Sequence, residues 1–184
     1  KLLDDLPKGE QKLIADTIPT IISVSSVQRI LQNLLNEHIS IRDLSTIVEA
    51  IAEAARITQN ITLITEHVRA RLARQISNSN TSNDGFIPLL ALSPAWEQGF
   101  MDALVGQGEE RTLSMAPSKI QEFIQNVRSK FDQFALQGEV PVLLTSPTIR
   151  PYVRSIIERF RPSTVVMSQN EIHPKAKIKT LGQL

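Results

Sequence analysis

The residue types that most often carry out chemistry are few in this chain, and their spacing does not form a site. The three histidines, His38, His67 and His173, lie far apart, and none stands in a metal-binding pattern such as HExxH. The absence of cysteine excludes disulfides, thiolate zinc sites and cysteine nucleophiles. We therefore predict neither a metal nor a cofactor, and we expect the histidines in turns and on a helix face.

Two short segments could belong to catalytic loops, but each lacks a necessary part. Gly106 and Gly108 form a single GxG without the further glycines and the Lys-Ser/Thr pair of a phosphate-binding loop, so we expect a surface turn. Ser146 follows an apolar run and precedes a helical pattern, yet its TSPTI surroundings lack the GxSxG elbow. Its expected role is to cap the following helix. The sequence predicts no catalytic residue and no enzyme.

Basic residues form two groups that could in principle bind nucleic acid. Arg69, Arg71 and Arg74 cluster in one helical segment, but Glu66 is close by and no aromatic residues stand among them for base stacking. Lys175, Lys177 and Lys179 alternate, which is typical of an edge strand that charge protects from unwanted pairing. A small nucleotide- or nucleic-acid-binding module is therefore kept as the alternative function only.

The composition is that of a globular domain or a pair of small ones. The chain has 184 residues, 41% of them hydrophobic and 21% charged, and a net charge of +1 that steers it to neither nucleic acid nor acidic membrane. No apolar run approaches the roughly 20 residues that span a bilayer. Because the first residue is Lys1 rather than Met, we expect a soluble piece of a longer protein.

The first half is patterned as helices. Ser26 is the predicted N-cap of one helix, and Ser40 with Asp43 matches a capping box that starts the next. A turn at residues 36–39 joins them, so we predict an αα-hairpin whose stripes face a shared core. A further helix is predicted over residues 60–76. The apolar stripes comprise Val27, Ile30, Leu31, Leu34, Leu35, Leu44, Ile47, Val48 and Ile51.

The second half alternates strands with helices. SNSNTSNDG, residues 77–85, has no apolar period and provides the domain boundary. Strands are then predicted over residues 86–93, 140–146, 164–168 and 176–184, with helices over 96–105, 118–136 and after Ser146. The predicted fold class is α+β, with an N-terminal all-helical subdomain (1–80) followed by a small α/β sandwich subdomain (81–184).

The charges at the predicted corner between the first two helices have two interpretations. Arg42 and Asp43 stand together at the start of a helix, and only one of them is needed for capping. They are either plain solvated surface or a contact with a neighbouring subunit, where arginine is favoured because its planar guanidinium pairs with carboxylates.

Four segments carry a resemblance to a known family. VQRILQNLLNEHISIRDLSTIVEAIAEAA (27–55) and ITEHVRARLARQI (64–76) resemble the cytoplasmic domain of the large export-gate subunit of type III secretion, the FlhA/injectisome export-gate family. VPVLLTSPTIRPYVRSIIERF (140–160) and VMSQNEIHP (166–174) resemble the end of that domain. The pattern is closer to the flagellar branch than to the virulence branch. His38 departs from it, since glycine is more usual there.

The resemblance implies a function as well as a fold. The chain would be the third and fourth subdomains of a gate whose cytoplasmic part forms a nine-membered ring at the inner membrane. That ring is a non-enzymatic platform that docks chaperone–substrate complexes and helps order flagellar protein export. The helical subdomain would carry the ring contacts and the α/β subdomain would be mobile. The candidate ring-interface residues are Arg42, Asp43, Arg69, Arg71 and Arg74. The groove that docks chaperones would lie mainly upstream.

Overall fold

The structure, a computed structural model, describes residues 3–184 in two compact units. Lys1–Ala73 forms a helical unit and Arg74–Leu184 forms an α/β unit. The predicted fold class, an all-helical part followed by a small α/β part, is confirmed. The division falls after Ala73, whereas the sequence placed it after position 80.

The helical unit contains four helices around one apolar core. They are α1 (Lys8–Thr17), α2 (Val24–Asn36), α3 (Leu44–Ala55) and α4 (Ile61–Arg71). α4 packs against both α2 and α3. The prediction that the apolar stripes of α2 and α3 face a shared core is therefore confirmed. Leu35, which the sequence assigned to the stripe, is 46% exposed.

The N-terminal caps of α2 and α3 differ from the predicted ones. The Ser23 hydroxyl accepts the Ser26 backbone N–H at 3.1 Å, so Ser23 rather than Ser26 caps α2. Asp43 caps α3 by accepting the backbone N–H of Thr46 at 3.2 Å. Ser40 does not take part in that cap, because its hydroxyl accepts the Arg42 backbone N–H instead.

A hydrogen-bonded corner joins α2 to α3. After α2, the His38 N–H donates to the Leu35 carbonyl and the Ile39 N–H donates to the Leu34 carbonyl, both at 3.0 Å. This is a Schellman motif, and His38 occupies its left-handed position with a φ of 60°. Ile39 is buried immediately afterwards. The motif turns the chain sharply and places Arg42 and Asp43 at the start of α3.

The predicted helix over residues 60–76 is in fact two helices. α4 ends at Arg71, Leu72 is buried as its C-cap, and α5 covers Ala73–Ser79. α5 belongs largely to the α/β unit, because the Ser77 hydroxyl donates to the Glu171 carbonyl and accepts the His173 N–H, both at 2.9 Å. This buried contact explains why the unit boundary precedes the polar loop.

The α/β unit is built on a four-stranded parallel sheet. The elements are β1 (Ile87–Ala91), α6 (Pro94–Ala103), β2 (Leu104–Val105), β3 (Thr112–Leu113), α7 (Pro117–Leu136), β4 (Val142–Thr145), α8 (Arg150–Phe160), β5 (Val166–Ser168) and β6 (Ile178–Gln183). The sheet order is β5-β4-β1-β6, and β2 with β3 forms a separate antiparallel pair. β1 is buried and pairs in parallel with both β4 and β6. β6 is thus an edge strand, as the alternating lysines predicted.

An aromatic cluster anchors the helices that cover this sheet. Phe100 and Phe123 are fully buried, with ring centroids 5.0 Å apart in an edge-to-face arrangement. Trp96 packs edge-to-face on Phe123 at 5.1 Å. Such pairs add about 0.5–1.5 kcal/mol to the burial of their area. The cluster therefore locks α6 onto α7.

The start of α8 corrects another expectation. Ser146 does not cap this helix, which begins at Arg150 after Ile149 without a side-chain cap. The Ser146 hydroxyl instead donates to the Glu97 carboxylate at 2.7 Å, and the Ser146 N–H donates to the other oxygen at 2.8 Å. The serine thus ties the end of β4 to α6.

Within residues 3–184, no helix combines the length and the apolar character that crossing a bilayer requires.

Candidate functional site

The corner between α2 and α3 presents one arginine without an intramolecular partner. Asp43 is occupied as the cap, since it also accepts the Thr46 hydroxyl at 2.7 Å. Arg42 is exposed, and among the described residues no carboxylate lies within 4.0 Å of its guanidinium. Asp43 therefore stabilises the fold of the corner, whereas Arg42 is available to pair with a carboxylate of another molecule.

Facing side chains of α3 and α4 form a network of charges, which we call the α3–α4 network. It consists of Glu49 and Glu53 on α3 and of His67 and Arg71 on α4. Arg71 hydrogen-bonds Glu53 and lies 3.7 Å from Glu49, and His67 lies 2.9 Å from Glu53. These side chains are between 38% and 52% exposed. Each pair therefore contributes at most about 1 kcal/mol to stability.

The electrostatics of the α3–α4 network follow from those contacts. The hydrogen bond from Arg71, and then the one from His67, holds the pKa of Glu53 below its ordinary value. The same bond to Glu53 raises the pKa of Arg71. Both groups stay ionised at neutral pH, and Arg71 already serves two carboxylates. Arg71 is for this reason less available to another subunit than Arg42.

Arg69 has a structural role that the sequence did not indicate. Its side chain is 2% exposed, and Nη1 lies 3.4 Å from Oε2 of Glu37, which is 14% exposed. Glu37 is the C-cap residue of α2, so the ion pair ties α4 to the base of the corner. The predicted basic face of Arg69, Arg71 and Arg74 is therefore not formed, because Arg69 points into the fold.

Arg74 lies in the other unit. It is exposed at the start of α5, and no described carboxylate pairs with it. Of the alternating lysines, Lys179 is held by Asp84 at 3.1 Å and by Glu139 at 3.2 Å. The five candidate residues thus do not form one site. Arg42 and Asp43 lie together at the corner, whereas Arg69, Arg71 and Arg74 each have a different environment.

Two contacts of these arrangements, the α3–α4 network and the Arg69–Glu37 pair, were not predicted from the sequence, and the first of them had a readable signal. Glu49 and Glu53 are four apart, as are His67 and Arg71, which is the spacing of neighbours on a helix surface. Two such rows of opposite charge predict facing helices. Glu37 gave no such signal, because its partner is distant in sequence.

The two segments considered for catalysis do not form a site. Gly106 and Gly108 both have positive φ, in the turn between β2 and β3, as expected for a surface turn. Ser146 hydrogen-bonds Glu97, and no histidine joins the pair. In residues 3–184, no three His, Asp or Glu side chains come together as a metal site would need.

Comparison with known proteins identifies the family. A family model described as the FHIPEP family matches residues 1–177. The chain belongs to the FHIPEP family. This confirms the resemblance found in the four sequence segments.

The proteins similar to this FHIPEP chain include a flagellar protein and two proteins of solved structure. The flagellar biosynthesis protein FlhA of Caulobacter vibrioides is 54% identical over 184 residues, all of this chain and 26% of that protein. CdsV of Chlamydia pneumoniae, solved in complex with CdsO, is 29% identical with a TM-score of 0.82 over 94% of this chain and 51% of that one. Nonameric EPEC SctV-C, 23% identical, has a similar fold, with a TM-score of 0.83 over 100% of this chain and 55% of that one. The chain spans about a quarter of the length of the FlhA protein that it matches.

Proposed function

We propose that the chain is the terminal part of the cytoplasmic platform of a flagellar type III export gate. The observation that carries the proposal is the 54% identity to a flagellar FlhA protein along the whole chain. In the whole protein, this platform is a homo-oligomeric ring at the cytoplasmic face of the bacterial inner membrane. It docks export substrates with their chaperones and has no catalytic centre of its own.

Two related structures support assembly. SctV-C was solved as a nonamer and CdsV in complex with CdsO, and both share the fold of this chain. A ring requires two different patches on each subunit, because every subunit contacts its two neighbours in a head-to-tail manner. The helical unit carries these contacts in our proposal, and the α/β unit moves as a separate body.

Arg42 is the residue best placed for such a contact. It is exposed, it pairs with none of residues 3–184, and it lies on a corner that Asp43 and the Schellman motif make rigid. A guanidinium fixed in this way pairs with a carboxylate of the next subunit at little cost in backbone entropy. The pair is worth about 0–1 kcal/mol at one exposed interface, but a closed ring repeats it at every interface.

The test reverses this charge in the whole protein. We expect Arg42→Glu to reduce the flagellar proteins secreted into the medium, and to lower the mass of the assembled cytoplasmic domain in sedimentation velocity. The circular dichroism of the domain should stay unchanged. Arg29→Glu is the matched control, because Arg29 is also exposed and unpaired, on α2.

Two outcomes would contradict the assignment of Arg42. One is normal secretion and normal assembly of the Arg42→Glu protein. The other is an equal loss from Arg29→Glu, which would mean that any charge reversal in this unit has the effect. Arg71→Glu is a less specific test, because it would place a third carboxylate beside Glu49 and Glu53 and disturb the packing of α3 on α4.

A further inference from the structure

A cleft in the α/β unit is lined by basic groups and by no acidic one. It has a volume of about 500 Å³, and its basic lining residues are Arg74 on α5 and His173, Lys175 and Lys177 before β6. Asn78, Thr81 and Gly85 complete the polar lining. We call this feature the basic cleft. Nothing in the platform function described above makes use of it.

The charges of the basic cleft are not neutralised from within the chain. Among the described residues, no carboxylate pairs with Arg74, Lys175 or Lys177. Asp84, which precedes the cleft-lining Gly85, and Glu139 both pair with Lys179. Cations held together without counter-charges repel one another and create a positive potential that attracts anions. The basic cleft thus carries an excess of positive charge, although the net charge of the whole chain is only +1.

The backbone around the cleft is well fixed. Ser77 on α5 holds both the Glu171 carbonyl and the His173 N–H at 2.9 Å, which joins the two walls. The Lys175 N–H donates to Nδ1 of His173 at 3.2 Å, so Nε2 carries the proton of the neutral ring and is a donor. The Ile87 N–H donates to the Lys177 carbonyl at 2.8 Å. The walls are therefore preorganised, which reduces the entropy lost on binding.

An exposed apolar rim continues from the cleft along the edge where the strands begin. Phe86 follows Gly85 and is 37% exposed, and Ile178 follows Lys177 and is 48% exposed. The register pairs Ile87 with Ile178, so Phe86, which directly precedes β1, and Ile178, the first residue of β6, lie where two neighbouring strands begin. Val140, next to the Glu139 that pairs with Lys179, is 79% exposed. Apolar side chains beside a charged cleft are typical of a surface that binds protein.

We propose that the basic cleft and its apolar rim dock an acidic segment of a partner protein, in which Asp or Glu residues alternate with large apolar ones. The carboxylates of this segment pair with Arg74, Lys175 and Lys177, and its apolar side chains cover Phe86 and Ile178. A phosphate or nucleic-acid ligand fits less well, since none of the described cleft-lining residues is Phe, Tyr or Trp and a phosphate group would leave the rim uncovered. The proposal holds whether or not the chain forms a ring.

The test uses the whole chain and defined probes. The probe is a fluorescent synthetic peptide of about ten residues that alternates Glu with Leu or Phe, and its control replaces every Glu with Gln. We expect the acidic peptide to bind with an affinity that falls as salt rises, and the Gln peptide to bind at least about tenfold more weakly. In ¹H–¹⁵N spectra, binding should shift the amides of residues 74–86 and 173–178.

The variants locate the site and keep the test open to refutation. Lys175→Glu with Lys177→Glu should weaken binding of the acidic peptide by about tenfold or more. Lys8→Glu with Lys12→Glu makes the same charge change at two exposed lysines of α1 and should leave binding unchanged. Lys175→Gln with Lys177→Gln is the second variant if the reversal disturbs folding, which thermal melts would show. This variant should also weaken binding of the acidic peptide.

Three results would overturn the proposal. The first is no binding of the acidic peptide at low salt. The second is equal weakening by the α1 variant, which would show an unspecific effect of net charge. The third is binding of single-stranded oligonucleotide or inorganic triphosphate at the same amides, but not of the peptide, which would assign the cleft to phosphate ligands instead.

Discussion

Removing the side chain of Arg69 and that of Arg71 in turn should distinguish a buried structural arginine from a surface arginine by the loss of stability that each removal causes. The two arginines of α4 are two positions apart, and the same substitution can be made at each. Arg69 is 2% exposed and pairs with Glu37, which is 14% exposed, whereas Arg71 is 38% exposed. Arg69→Ala leaves the Glu37 carboxylate largely buried without its counter-charge. Arg71→Ala leaves Glu49 and Glu53 in contact with water.

The magnitudes follow from burial. Removing one partner of a buried ion pair costs about 3–5 kcal/mol, and the partial exposure of Glu37 favours the lower end of that range. We therefore expect Arg69→Ala to cost about 3 kcal/mol, which corresponds to a fall in Tm of about 12 °C or more for a unit of this size. Arg71→Ala should cost about 1 kcal/mol or less.

The assay follows urea unfolding of the whole chain by far-UV circular dichroism and by the fluorescence of Trp96, the single tryptophan. Trp96 lies in the α/β unit, so its signal reports that unit, and the dichroism reports both. Replacing both partners, with Arg69→Met and Glu37→Gln, should recover most of the lost stability, because no unpaired buried charge remains. An Arg69→Ala protein within about 1 kcal/mol of the parent would refute the reasoning.

Two further predictions concern single residues. His38→Gly should raise the free energy of unfolding by about 0.5–1 kcal/mol, because His38 has a φ of 60° and glycine adopts it without strain; His38→Ala should give no such gain in the same urea titration. The pKa of Asp84 is lowered to about 2 from 3.8, first by the Ser82 hydroxyl, then by the Phe86 N–H and by Lys179. Its ionised form thus favours folding above about pH 4, and this contribution is lost as the pH falls towards 2. Ser82→Ala should raise this pKa more than Lys179→Ala does in a ¹³C NMR titration of the carboxyl group, and the opposite order would contradict the assignment.

Elements whose signal is local could be predicted from the sequence. The buried strands β1 and β4 and the long amphipathic α7 appear where apolar runs and helical spacing place them. The helix predicted over residues 96–105 is present as α6, and it begins two residues earlier, with Pro94 at its first position after the Ser93 cap. In each case the pattern and the capping residue lie within the element itself.

The helix break at Leu72 shows why other features could not be predicted. Ile64, Val68, Leu72 and Ile76 are spaced by four and are all buried, so the apolar period continues through the break. Periodicity alone cannot detect where one helix ends and the next begins when the same apolar spacing continues across both. The break follows from packing, because α5 is held by Ser77 to a part of the chain far away in sequence.

The prediction of the candidate site from the sequence was limited for the same reason: contacts between distant segments leave no local pattern. Arg69 and Ser146 have surface-like sequence surroundings, but each has its partner in a distant segment: Glu37 for the arginine and Glu97 for the serine. A polar residue with a distant partner leaves no periodic trace. Asp43 could be identified because a helix cap interacts with residues only three positions away.

The order of the strands has a consequence for the newly made chain. β1 is an apolar strand in the interior of the sheet, and its two neighbours, β4 and β6, come much later in the sequence. The helical unit precedes it and brings together elements as close in sequence as α3 and α4, so it can fold earlier and faster. During synthesis, β1 must therefore remain with both of its edges unpaired until β4 and then β6 arrive. An unpaired apolar strand is a template for aggregation. Of the two units, the α/β unit is accordingly the one that is more prone to aggregate before its synthesis is complete.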